Sequence, residues 1–278
     1  MIKSKQHLLY ILRVDSDRLN YILAHLDEFY YSFEKVKMDK LHGRPKRDAN
    51  GAPQKRKINS SKGDLKSIQS RIYKFLLSNI ELPGFFFGGI RGKNNILNAR
   101  FHQGNKYIFT TDLKSFFSSI SHKQVYNAFV GLGFSADVAS ILTKLTTRNG
   151  EIPQGVPTST LLANLVFWPI GIKITNLAKV HDIKFTIYVD DMTLSSPSDF
   201  KGFIPQFMQI LKDGGFKINH KKTFYRTKHP VVTGVVVHNN NLTHQREYNK
   251  IRARLMREDS SGKSFKGVNI YLDRIAKA

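Results

Sequence analysis

Two adjacent acids, Asp190 and Asp191, interrupt an apolar, β-branched run in "FTIYVDDMTLSS", Phe185 to Ser196. Alternation of Phe185, Ile187 and Val189 with Thr186 and Tyr188 predicts a half-buried strand. Neighbouring carboxylates resist joint ionisation, so two of them at the end of a buried strand carry a cost that a cation would offset. A third acid, Asp112, closes a similar strand-like run, "KYIFTTDL". Side by side in one sheet, these strand ends would gather three carboxylates, a hard-oxygen donor set for a divalent cation. Such a set suits in-line phosphoryl transfer, in which two metal ions about 4 Å apart stabilise the attacking and leaving oxygens. Composition alone favours the plainer alternative of a turn between two strands, because Asp tolerates turn conformations.

The charge balance points to a polyanionic partner. The 278-residue chain has 44 Lys and Arg against 21 Asp and Glu, a net charge of +23. Each phosphate neutralised by such a surface releases counterions, so nucleic acid is the first expectation and an anionic membrane surface trails it. With 41% hydrophobic residues the chain is expected to be globular and to bury a sizeable core, as one large domain or two to three small ones. No run of about 18 apolar residues stands out as a bilayer span, and no membrane is expected. The start, "MIKSKQHLLYILRVDS", lacks the long apolar core and cleavage site of a signal peptide. The absence of cysteine excludes disulfides and thiolate metal sites within this sequence and fits a cytoplasmic location.

The elements that must position the acids follow from periodicity and punctuation. Leu8, Leu9, Ile11, Leu12, Leu19, Ile22, Leu23 and Leu26 predict helix across residues 6–39. The basic, Gly- and Pro-rich stretch from Asp39 to Lys57 is expected to be a mobile surface loop or a β-hairpin. A helix is predicted from near Asp64 to before Pro83, then a Gly-punctuated loop, "GFFFGGIRGKNN", whose aromatics are expected to pack rather than stack on bases. A strand over Tyr107 to Thr111 precedes two helices and a longer one from "PTST", bent near Pro169 and Gly171. After the two-acid strand and its return come a helix from Phe200 to Lys212, a strand "VVTGVVVH" and a last basic helix. Strands separated by helices, with antiparallel pairs, predict an α+β fold.

The motif order carries a resemblance. "YVDD" (Tyr188 to Asp191), downstream of "DLKSFF" (Asp112 to Phe117) and "IPQGVPTS" (Ile152 to Ser159), closely resembles the motif series of reverse transcriptases. "GGFKINHKKT" resembles the Gly-plus-Lys palm motif, and "RKINSSKGDLKSIQSRI" the fingers block of bacterial reverse transcriptases. "NARFH" (Asn98 to His102) and "VTG" (Val232 to Gly234) look like the hallmarks of retron reverse transcriptases. Most retron enzymes have Ala where this chain has Val189, a departure that leaves both acids in place.

The resemblance implies a right-hand polymerase fold: N-terminal helices and fingers over 1–105, palm with antiparallel sheet over 106–228 with fingers elements near 125–160, and palm end with a short helical thumb over 229–278. It implies RNA-templated DNA synthesis with two Mg²⁺ ions, Mn²⁺ being a possible substitute. It assigns metal binding and catalysis to Asp112, Asp190 and Asp191, with the Leu113 carbonyl adding an oxygen. Phe117 would exclude a 2′-hydroxyl; the alternative is a core Phe. Gln154 and Gly155 would lie against the incoming nucleotide or a base pair, or form a helix entry capped by Thr158 or Ser159. Arg56 and Lys66 would grip the triphosphate and Lys222 assist the leaving pyrophosphate, although any basic residue in so basic a chain also suits plain solvation.

Asn98 and His102 are given evenly to RNA binding and to structural hydrogen bonding. Thr233 and Gly234 would approach an RNA stem or mark a bulge. In the last helix Arg246, Lys250, Arg252, Arg254 and Arg257 would track phosphates. The implied partners are a structured non-coding RNA as template and primer, dNTPs, the DNA product and a separate effector protein in anti-phage defence. The alternatives are another defence-associated or group II intron-like reverse transcriptase, and a non-catalytic RNA-binding scaffold on a polymerase fold.

Overall fold

The computed structural model describes residues 2–39 and 44–278. Lys40 to Gly43, in the expected basic loop, lie outside the described residues. Helices α1 (Lys5–Leu12) and α2 (Ser16–Ala24) are opened by Ser4 and Asp15, whose side chains accept from the backbone three residues on. They bury Leu8, Leu12, Leu19 and Ile22. The single helix expected through residue 39 does not form. A 3₁₀ turn at Leu26–Phe29 leads into strand β1 (Tyr30–Val36), paired antiparallel with β2 (Lys55–Ser61). All of β1 beyond Tyr30 is exposed, so it carries no apolar pattern, and pairing decides its conformation. The expected loop-or-hairpin is therefore a hairpin over its described part, extended by bridges Met38↔Pro45 and Arg47↔Pro53.

Helix α3 (Gly63–Arg71) continues through a π-turn at Ile72–Leu77, and α4 (Asn95–Phe101) follows the Phe-rich segment. Phe85, Phe86 and Phe87 are all buried, which agrees with packing. Strand β3 (Tyr107–Asp112), helices α5 (His122–Gly131), α6 (Ala136–Thr146) and α7 (Ser159–Val180), and strands β4 (Lys184–Tyr188) and β5 (Asp191–Ser196) come next. Helix α8 (Ile204–Asp213) and strand β6 (Phe224–Arg226) complete a four-stranded antiparallel sheet of order β4-β5-β3-β6.

Helix α7 contradicts the sequence expectation about apolar runs. Its 22 residues are long and apolar enough to cross a membrane by length and composition. More than half of its most apolar stretch is buried, however, against the sheet and α8, so the apolarity is explained by the core it serves. It runs through Pro169, and Gly171 admits the Phe85 ring, which an added Cβ would meet at 2.4 Å.

The single strand expected at "VVTGVVVH" is a tight hairpin, β7 (Val231–Val232) and β8 (Val235–Val237), extended by β9 (Leu242–His244). Thr233 and Gly234 form its turn, with φ of 46° and 89°. Helix α9 (Glu247–Asp259) buries nothing, whereas α10 (Lys263–Ala276), not expected from sequence, buries Leu272 and Ile275. Ile275 joins Ile96, Ala99, Ile108, Val232, Val235, Val237 and Leu242 in a second apolar cluster, separate from the main core.

Helix α4 ties these parts together through His102 and Asn98. Both are 0% exposed, so the geometry gives them structural hydrogen bonds and no access to RNA. The ring nitrogens of His102 lie 2.7 Å from the hydroxyls of Ser195 on β5 and Thr186 on β4. Asn98 donates to Thr233 Oγ1 at 3.3 Å, and Asn95 donates to the Thr233 carbonyl at 3.1 Å and to Tyr271 Oη on α10 at 2.7 Å. The "NARFH" and "VTG" stretches thus form one bonded unit between the sheet and the C-terminal hairpin.

Burial, helped by the Lys184 charge, holds His102 neutral down to about pH 3, against an ordinary value of 6.5. Below pH 6.5 the unfolded chain takes up a proton there that the folded chain refuses, so stability falls as pH drops toward 3. Denaturant unfolding of wild type and His102→Gln across this window should show the wild type losing on the order of a few kcal/mol more. Parallel acid limbs would refute the assignment.

Candidate active site

The site is set by sheet register. Asp112, the last residue of β3, lies opposite Asp191, the first of β5, and Tyr188 pairs with Asp191 across the β4–β5 hairpin. Val189 and Asp190 are thereby left as the turn, and the Leu113 N–H donates to the Asp190 carbonyl at 2.9 Å. The backbone positions of the three acids thus come together at one end of the sheet, Asp112 and Asp191 on its two central strands and Asp190 in the turn.

Their surroundings are polarised against them. Asp112 is 7% exposed; its Oδ2 accepts from Asn219 Nδ2 at 3.0 Å and its Oδ1 is ion-paired with Lys222. The backbone of the same segment crosses β3, with Asn219 N–H donating to the Asp112 carbonyl at 2.9 Å. Burial pushes the Asp190 carboxyl up, and the neighbouring Asp112 charge adds to the shift, while Lys222 and Arg56 work the other way. Burial draws the Lys222 ammonium down, but its bond to Asp112 and the charges of all three acids outweigh that and leave it raised.

Among the described residues no three His, Cys, Asp or Glu side chains converge as a ready-made metal cage. The donor chemistry nevertheless fits a hard divalent cation. The donors are carboxylate oxygens, and Asp190, raised first by burial and then by the Asp112 charge, carries a cost that a cation would relieve.

The turn that carries Asp190 is braced from below. Val189 adopts φ +61°, a left-handed conformation that a β-branched residue takes only under constraint. Beneath it the Phe-rich segment runs alongside β4: the Phe87 N–H donates to the Ile187 carbonyl and the Ile187 N–H to the Phe85 carbonyl, each at 2.9 Å. Gly88 then passes so close that an added Cβ would lie 2.3 Å from Val189 N, and buried Asn164 of α7 donates to the Gly88 carbonyl at 3.0 Å. Sequence reasoning passed over Gly88, Asn164 and Asn219, because their partners lie far away along the chain.

The remaining expected residues divide by position. Phe117 is half-buried in the loop after Asp112, beside the core residue Phe116 at 5.7 Å between ring centroids. Gln154 and Gly155 meet β2, their carbonyls accepting from Asn59 N–H at 2.9 Å and Ser60 Oγ at 3.2 Å. The helix entry beyond them is not capped as expected: Thr158 makes no capping bond, and Ser159 Oγ turns back to the Pro153 carbonyl at 2.7 Å. Arg56 on β2 reaches Asp190 with its charge, whereas Lys66 is exposed on α3. Lys250, Arg252 and Arg254 are exposed on α9.

A cleft of about 700 Å³ opens beside the acids, lined by Asp191, Tyr188, Lys222, Phe224, Gly234 and Tyr271 among others. It joins the carboxylates to the β7–β8 hairpin and the C-terminal helices. Gly88→Ala should displace the turn, lowering any activity of the three acids roughly 10²-fold and also lowering the thermal unfolding temperature, because backbone at Tyr188 and Val189 must shift. An unchanged rate would show that the turn tolerates the displacement.

The family profile described as Reverse transcriptase (RNA-dependent DNA polymerase) matches residues 44–253. The retron Se72 reverse transcriptase of Salmonella heidelberg is 29% identical over 225 residues, covering 76% of this chain and 56% of that protein. The retron Ec86 reverse transcriptase of Escherichia coli is 31% identical over 197 residues, covering 69% and 62%. The retron Mx65 reverse transcriptase of Myxococcus xanthus is 26% identical over 228 residues, covering 74% and 53%. The chain therefore spans between about half and two thirds of these relatives' lengths. With Asp112, Asp190 and Asp191 inside the matched region, the chain belongs to the reverse transcriptase (RNA-dependent DNA polymerase) family, and within it resembles the retron-type members.

Proposed function

We propose that this protein is an RNA-directed DNA polymerase of retron type, copying a structured non-coding RNA into short single-stranded DNA. The observation that carries the proposal is the register that sets Asp112 opposite Asp191 and leaves Asp190 in the intervening turn. The β1–β2 hairpin and N-terminal helices correspond to fingers, the four-stranded sheet to palm, and the segment after β6 to palm end and a short thumb.

Asp112, Asp190 and Asp191, with the backbone at Leu113, would hold two Mg²⁺ ions, or Mn²⁺ in their place. Bound divalent ions stabilise the attacking and leaving oxygens of phosphoryl transfer. The chain's own residues do the rest. Arg56 extends positive charge toward Asp190 and is placed to meet a triphosphate, with Lys66 a more distant second cation. Lys222, already on Asp112, is placed to neutralise the leaving pyrophosphate. Phe117 would set an aromatic edge against a ribose 2′-hydroxyl, and Gln154 with Gly155, packed on β2, would lie against the incoming nucleotide or a base pair. Thr233 and Gly234 line the cleft and would meet the nucleic-acid backbone, while Lys250, Arg252 and Arg254 offer phosphate contacts. Asn98 and His102 serve by holding that hairpin to the sheet.

The net charge of +23 supports an RNA and DNA partnership, and the reading extends to a cytoplasmic location and a separate effector protein in anti-phage defence. Sequencing the nucleic acid that co-purifies with the protein tests the reading. One structured RNA joined to complementary DNA is expected; a mixture of cellular RNAs without attached DNA would refute the retron assignment.

A further inference from the structure

The β1–β2 hairpin carries a surface that the site above does not use. Tyr31 and Phe33 are 49% and 44% exposed, and their rings lie nearly parallel, 15° apart, with centroids separated by 5.9 Å. Two adjacent exposed aromatics on a strand bury nothing within this chain, so core packing does not account for them.

Register fixes the side they occupy. Tyr31 lies opposite Ser60, Phe33 opposite Ile58 and Lys35 opposite Arg56, and directly opposed residues share a face. On that face Ser60 Oγ bonds to the Gly155 carbonyl, and Ile58 lies so close to Gly155 that a Cβ there would meet it at 2.8 Å. The same face carries Arg56, whose charge reaches Asp190. The aromatic pair is thus continuous with the Gly155 wall of the active site, with Lys35 and Arg56 beyond it.

We infer that Tyr31 and Phe33 form a stacking platform for an unpaired base of the template RNA next to the active site. Aromatic faces bind any base through its π-surface, and flanking cations follow the backbone phosphates, a combination suited to a single strand of varied sequence. Lys35 and Arg56 on that face, with Lys37 just beyond the strand, provide the charge complementarity. The inference deepens the polymerase reading and rests on it for the identity of the strand.

Fluorescence anisotropy would compare two primer–template duplexes, one flush-ended and one with an unpaired RNA 5′ overhang, on wild type and Tyr31→Ala/Phe33→Ala. The double variant should bind the overhang duplex about tenfold more weakly while binding the flush duplex as wild type does. Tyr31→Trp/Phe33→Trp should restore the preference for the overhang. Equal affinity of wild type and double variant for the overhang duplex, or equal loss on both duplexes, overturns the platform. Primer extension by the same wild-type sample separates this from the polymerase reading. Extension together with equal overhang affinity removes only the platform, whereas selective overhang loss without extension upholds the platform and removes the polymerase reading.

Discussion

The repulsion between the Asp112 and Asp190 carboxylates, gathered with Asp191 at one end of the sheet, is the constraint around which this site is organised. The β3–β5 ladder fixes Asp112 opposite Asp191, and the hairpin turn brings Asp190 to the same edge, so the acids cannot relax by moving apart without breaking strand pairing. In water such repulsion would be screened; here burial raises the Asp190 carboxyl. The chain answers locally with Lys222 and Asn219, delivered by a segment that crosses the end of β3. Such an arrangement carries an electrostatic cost, which the divalent cations of the proposed reaction would offset.

Holding a strained, charged turn in place requires support from elements with no charge at all. Gly88 closes on Val189, Asn164 anchors Gly88, and the Phe-rich segment runs beside β4. A second bracket starts from α4. His102 bonds across β4 and β5, while Asn95 and Asn98 reach the β7–β8 turn and Tyr271. The sheet that carries the acids and the hairpin that faces them across the cleft are therefore fastened through one short helix. This fastening holds the hairpin side of the cleft to the sheet side.

Much of this was legible in sequence where the local pattern and the fold agree. The strand before Asp190 alternates apolar and polar residues in sequence although β4 is buried on both faces, the strand ending in Asp112 is a short apolar and β-branched run, and the two adjacent acids fall at the turn that their type favours. The β1 strand was misread as helix because its side chains face solvent, leaving no apolar period once Leu26 is passed. The "VVTGVVVH" stretch looked like one strand, since nothing in the run of valines announces that Thr233 will take a positive φ. The structural role of His102 was weighed only evenly, because its partners lie 84 and 93 residues further along the chain. In α7 Asn164 and Lys173 interrupt the apolar run in sequence, while in space half of the helix's residues are buried.

The central claim is that the three acids at the β3–β5 edge make this protein a polymerase. Primer extension on an RNA template with dNTPs and Mg²⁺, by wild type and by Asp190→Asn, tests it most directly, with RNA affinity measured on the same samples. Wild type should extend the primer, and Asp190→Asn should lose extension while keeping its RNA affinity. Equal extension by the two proteins would contradict the account.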